Sequence, residues 1–72
     1  MEAISIDSSR VLGPLIRRRR KELGLNQTEL AEVARTSLRF VSELERGKPT
    51  AQLNGVLRVL AALGIRLEAS IR

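Results

Sequence analysis

Residues 23–47 read LGLNQTELAEVARTSLRFVSELERG. Two short helical patterns and the turn between them account for the whole stretch. The spacing predicts a helix over 27–34, because Leu30, Ala31 and Ala34 repeat on one face. Asn26 precedes it and Glu29 follows three residues later, the arrangement of a capping box, in which each side chain satisfies a free backbone amide of the first turn. Ala31 and Ala34 are small and permit close helix approach. A second helix is expected over 38–46, with Ser37 as its N-cap. Val41 and Leu44 face inward, and Arg39, Ser42, Glu43 and Arg46 face outward. Gly47 suits a left-handed C-cap, and Pro49 prevents continuation.

Two short helices joined by a tight polar turn are the layout of a helix-turn-helix, whose second helix enters the DNA major groove. The outward residues fit that task. Gln27 opens the first helix of the pair, where free backbone amides and its own amide group can meet one phosphate. Arg39 stands near the start of the second helix and can pair bidentately with guanine O6 and N7. Ser42 lies three residues further on the same side and can bond to bases of either kind. Glu43 can accept from cytosine N4 or serve structurally, since phosphates repel it. Ser37 can bond a phosphate as well as cap, and Leu38 can touch a thymine methyl. Arg46 and Lys48 are expected on the DNA backbone. Phe40 lies four residues before Leu44, and its position suits the core edge, DNA or a partner equally.

Gly24-Leu25-Asn26-Gln27-Thr28-Glu29-Leu30-Ala31 and Val41-Ser42-Glu43-Leu44-Glu45-Arg46-Gly47 together resemble the Cro/cI-type repressors, also called Xre-type, over roughly Ser8 to Gly64. The resemblance implies a mainly α, compact four-helix helix-turn-helix domain of the lambda-repressor kind. It also implies a phosphate contact for Gln27, and an ion pair between Arg20 and Glu45 tying the first helix to the third. One departure is Arg35, where the family usually carries glycine. A left-handed backbone there costs a residue with a Cβ about 1 kcal/mol.

Composition narrows the alternatives. The chain has 72 residues, enough for one domain. It has no cysteine and no histidine, which removes disulfides, thiolate metal sites and the commonest general base. No metal or other cofactor is expected. Thirteen basic and eight acidic residues give a net charge of +5, which favours polyanions. Phe40 is the single aromatic residue, so stacking of single-stranded bases is not available and double-stranded DNA is the expected partner. No apolar run is long enough for a membrane span and no secretion signal opens the chain, so a cytoplasmic protein, nucleoid-associated through DNA, is expected.

The remaining segments complete the layout. Residues 1–7 read as an N-terminal arm, either a short strand or a frayed end. A helix is expected over 8–23, with Asp7, Ser8 or Ser9 as cap and Leu12, Ile16 and Leu23 on one stripe. Pro14 should kink it or delay its regular part to about Gly13. Arg17-Arg18-Arg19-Arg20-Lys21 winds around this helix at about 100° per residue. It therefore reads as a solvated face, with Arg20 turned inward. A fourth helix is expected over 53–63, with Leu53, Val56, Leu57, Leu60 and Leu63 as its apolar stripe and Gly55 weakening it. The tail 65–72 alternates apolar and polar with strand period. It needs a pairing partner. The candidates are the arm near Ala3–Ile6 or the same tail of a second subunit, and the second is the reading taken. Ile65, Leu67, Ala69 and Ile71 are then the dimerisation residues across a two-fold axis.

This end of the chain resembles a subgroup, the HipB-like antitoxins. That resemblance implies an intersubunit sheet, repression of the chain's own operon, and a HipA-like serine/threonine-kinase toxin as partner. The expected function is a homodimeric, sequence-specific repressor and antitoxin. The alternatives are a stand-alone Xre-type regulator and a protein-interaction module that no longer binds DNA. An enzyme is not expected, because the sequence offers no catalytic constellation.

Overall fold

Ile16, Leu30, Val41, Leu44, Val59 and Leu63 are completely or almost completely removed from solvent, and together they draw on every helix of the expected layout. Each such side chain contributes about 1.5–3 kcal/mol by leaving water. The computed structural model describes residues 3–71. Four helices enclose this core: α1 (Ser9–Glu22), α2 (Gln27–Ala34), α3 (Leu38–Glu45) and α4 (Leu53–Ala62). Helix α2 packs on α3 and α4, and α1 packs on α3. Every helix of the sequence reading is present, with ends moved by at most one residue.

Helix α1 starts at Ser9 and runs unbroken in its assignment through Pro14, so the delayed start near Gly13 does not occur. Ser8 occupies the cap position with extended backbone, but its side chain makes no capping bond. The reason for Gly13 lies across the interface. A Cβ there would stand 2.6 Å from the Glu45 carbonyl oxygen and 2.8 Å from that of Leu44. The glycine thus lets α1 press directly on the backbone of α3. Leu23 does not join the apolar stripe; it is 42% exposed. It is the C-cap residue, where the chain already turns away from the helix axis.

Each helix ends in the same way. The amide just after a left-handed residue reaches back five residues, in the bonds Leu25 to Arg20, Thr36 to Ala31, Lys48 to Glu43 and Ile65 to Leu60. These are Schellman-type closures, which need a left-handed residue at the turn. Gly24, Gly47 and Gly64 supply it with φ of 72°, 84° and 69°, and Arg35 supplies it with φ 57°. Arg35 is therefore a strained residue where glycine is at ease. Arg35→Gly should raise stability by about 0.5–1 kcal/mol, after allowing for the looser unfolded chain. Chemical denaturation would measure this, and an unchanged or lower midpoint would contradict it.

Two expectations about α4 change. Leu53 and Leu57 are exposed, and Val59, outside the expected stripe, is fully buried. The buried stripe of α4 is thus Val56, Val59 and Leu60, continued by Leu63 beyond the helix. Gly55 is buried because the Phe40 ring lies on it: a Cβ at Gly55 would come within 2.5 Å of the ring's Cζ. Phe40 therefore belongs to the core edge, bridging α3 and α4.

Met1, Glu2 and Arg72 lie outside the described residues, so the arm expected over 1–7 and the tail over 65–72 are seen in part. No strand ladder forms among the described residues, so the arm and tail of one chain do not pair there. From Ile65 the chain continues without helix; Ile65 packs against the core, whereas Leu67, Ala69 and Ile71 are exposed.

Candidate nucleic-acid interface

The start of α2 is fixed by a reciprocal pair of bonds. The Glu29 amide donates to Asn26 Oδ1 at 2.8 Å, and the Asn26 amide donates to Glu29 Oε1 at 2.9 Å. This capping box leaves Gln27 as the first helical residue, half-buried. Its side-chain Nε2 donates to Glu45 Oε1 at 3.2 Å. The backbone amides of Gln27 and Thr28 remain at the helix N-terminus, where the dipole favours an anion.

Glu45 is the centre of this region. It is the last residue of α3, an unfavourable place for an anion because the helix dipole is negative there. Arg20 from α1 meets it in a fork: Nε lies 2.6 Å from Oε2 and Nη2 lies 3.0 Å from Oε1. Arg20 Nη1 also donates to the Leu25 carbonyl at 2.9 Å. One guanidinium thus joins α1, the turn before α2 and the end of α3. Burial pushes the Glu45 carboxyl up, but hydrogen bonds from Arg20 and Gln27 outweigh it and hold the carboxyl below the usual range. The hydrogen bond to Glu45 pushes the Arg20 guanidinium higher still. Both groups are buried, and no buried side-chain polar atom lacks a partner among the described residues.

The start of α3 is capped by Ser37, whose Oγ accepts the Phe40 amide at 3.0 Å. Leu38 and Arg39 follow on the exposed face; the Arg39 side chain is 87% exposed. Arg39 Nε lies 2.7 Å from Glu43 Oε1, one helical turn further on. Lys48, beyond the Gly47 turn, donates to the other carboxylate oxygen of Glu43. Hydrogen bonds from Lys48 and then Arg39 hold the Glu43 carboxyl below its ordinary value. Ser42 is half-buried beside this cluster in sequence, and Arg46 is exposed.

Four of the eight expected contact residues therefore join two hydrogen-bonded groups. Arg39, Glu43 and Lys48 form one hydrogen-bonded cluster on α3 and its following turn. Gln27 is joined to the Arg20–Glu45 pair instead. The spacing of Arg39 and Glu43 is the helical i,i+4 spacing and was available in the sequence. Lys48 reaches Glu43 across a turn, and Gln27 meets Glu45 across 18 positions, so no local pattern announced either. Two long-range arginine bonds were also missed: Arg19 Nε to the Leu63 carbonyl at 3.0 Å, and Arg58 Nε to the Ala34 carbonyl at 3.1 Å. Each closes the C-terminal end of a helix from another element.

A profile of the helix-turn-helix family matches residues 16–69. The chain belongs to this family of DNA-binding transcriptional regulators. The regulator is 53% identical over 57 residues to the HTH-type transcriptional regulator y4mF of Sinorhizobium fredii (strain NBRC 101917 / NGR234), covering 79% of this chain and 75% of that protein. Its fold matches a chain in the structure of a HipA–HipB–O2–O3 complex, with a TM-score of 0.86, 20% identity and coverage of 96% and 97% of the two chains. It also resembles the clp gene regulator ClgR from C. glutamicum, with a TM-score of 0.70, 36% identity and coverage of 81% and 75%. The capping box, the turn at Arg35 and the α3 cluster all lie within the matched residues of the regulator. No described helix is long and apolar enough to cross a membrane.

Proposed function

We propose that the regulator is a homodimeric, sequence-specific repressor that controls its own operon and neutralises a HipA-like serine/threonine-kinase toxin. The observation that carries the DNA part is the exposed N-terminal end of α3. It presents Leu38 and Arg39 outward on a helix whose opposite face, Val41 and Leu44, is locked in the core. Arg39 and Ser42 would read base edges, with Leu38 against a thymine methyl. Gln27, Ser37, Arg46 and Lys48 would hold phosphates, which set register without reading sequence. Glu43 holds Arg39 and Lys48 and is assigned a structural role.

The unpaired tail supports the dimer. Ile65, Leu67, Ala69 and Ile71 would pair with the same residues of a second copy, giving a ribbon and two α3 helices about 34 Å apart on a pseudo-palindrome. The near-complete fold match to HipB, tail included, supports the antitoxin reading over a stand-alone regulator. On this reading the protein acts in the cytoplasm, on the nucleoid.

Fluorescence anisotropy against the chain's own promoter and a scrambled duplex, each at several salt concentrations, tests the reading. A strong preference for the promoter is expected, together with a steep salt dependence. Arg39→Ala should weaken promoter binding by about 1–3 kcal/mol and scrambled-duplex binding much less. Equal losses on both would remove base reading from Arg39. Co-expression with the neighbouring reading frame, followed by size-exclusion chromatography, tests the toxin.

A further inference from the structure

We infer that the groove between the C-terminal ends of α2 and α4 is a docking site for an acidic, partly apolar segment of a partner protein. The groove is shallow and open to solvent, holds about 380 Å³ and is lined by Val33, Ala34, Arg35, Arg58, Ala61 and Ala62. Its walls are apolar, and Val33 is 60% exposed. Its rim carries two guanidinium groups, and no carboxylate pairs with either among the described residues. Arg58 is anchored through Nε on the Ala34 carbonyl, which leaves its terminal nitrogens as donors beside the groove.

Arg35 gives the second, independent observation. It holds the one left-handed turn that the chain does not assign to glycine. An exposed arginine with no partner gains nothing for stability from that strained backbone, and strain of this kind gathers where a side chain is needed for function. Capping of α2 explains one nitrogen of Arg58 and nothing of Arg35. Together the two arginines present fork-shaped donors suited to carboxylates, across a floor suited to a leucine or valine.

Charge and position select the occupant. A second copy is engaged through its tail in the proposed dimer, and its net charge of +5 gives it no preference for this basic rim. DNA phosphate has no use for the exposed apolar walls. The groove lies about 12 Å along α2 from Gln27, but Arg35 stands two residues before Ser37, so duplex DNA is the competitor that the test includes.

The test uses the full chain labelled with ¹⁵N and two acetylated, amidated pentapeptides, one alternating glutamate and leucine, the other alternating lysine and leucine. The acidic peptide should shift the amides of Val33, Arg35, Arg58 and Ala61, and the basic one should not. Arg35→Gly and Arg58→Gln should each weaken acidic-peptide binding about fivefold, with the preference for promoter over scrambled duplex unchanged and the Arg35→Gly protein melting at or above the parent temperature. Four results would overturn the site: no shifts, equal shifts with both peptides, the same amides moving on addition of duplex DNA, or their moving with protein concentration alone. Peptide binding is scored without any promoter, so loss of the operator reading leaves the groove standing.

Discussion

Arg20→Ala will cost the fold about 3 kcal/mol, because it strands a buried Glu45 carboxylate that no other cation can reach in a fork. At roughly 4–8 °C per kcal/mol for a domain of this size, the melting temperature should fall by more than 10 °C. The double variant Arg20→Ala with Glu45→Ala should recover much of the loss, since no charge then stays buried without a partner. The difference between the parent and Arg20→Ala should also shrink in acid. In the parent, the folded Glu45 carboxyl is held below its ordinary value. Its contribution is therefore complete above the unfolded value of about 4.3 and disappears as the pH falls through the lower folded value. In the variant the Arg20 bonds are gone, and burial is opposed only by the Gln27 hydrogen bond and the Arg17 charge, so the folded carboxyl rises relative to the parent. Acid therefore costs the variant less than it costs the parent. Thermal melts from pH 7 down to pH 3 would show the two curves converging; parallel curves would mean that the pair contributes little.

Gly13→Ala should destabilise by about 2 kcal/mol, although alanine is the better helix former by nearly 1 kcal/mol. The new methyl would meet the Glu45 and Leu44 carbonyl oxygens well inside contact distance. Those atoms are backbone in a packed helix, and they can yield only if α1 and α3 separate. Overpacking of this kind costs about 1–3 kcal/mol, occasionally more. Urea denaturation gives the number, and a stabilised Gly13→Ala protein would show that the helices separate freely. Separation would also shift Arg20 away from Glu45, so the two substitutions should not be additive.

Local chemistry made the helices legible: Asn26 with Glu29, Ser37 and Gly47 marked starts and stops within one residue. The same signals located the exposed face of α3, because Val41 and Leu44 leave no other side for Arg39. Features built from distant residues were not legible. Gly55 read as a weak point in a helix until the Phe40 ring was found on it, and Gly13 read as a companion of Pro14 rather than as the contact point of α1 and α3. Val59 was passed over for Leu53 and Leu57, because a hydrophobic pattern gives the direction of a stripe but not its edge. The alternating tail has a strand's period with no ladder among the described residues. That pattern states a need for a partner without naming it.

The clamp on Glu43 bears on how the proposed interface responds to salt. Arg39 and Lys48 are two of the cations assigned to DNA, and they share one carboxylate before any DNA arrives. Glu43 acts as an internal counterion. The three groups together carry one positive charge rather than two, so fewer counterions leave the operator phosphates on binding than a count of basic residues would give. Affinity built this way depends more on the fit of Arg39 to its base and less on the general attraction that any duplex exerts.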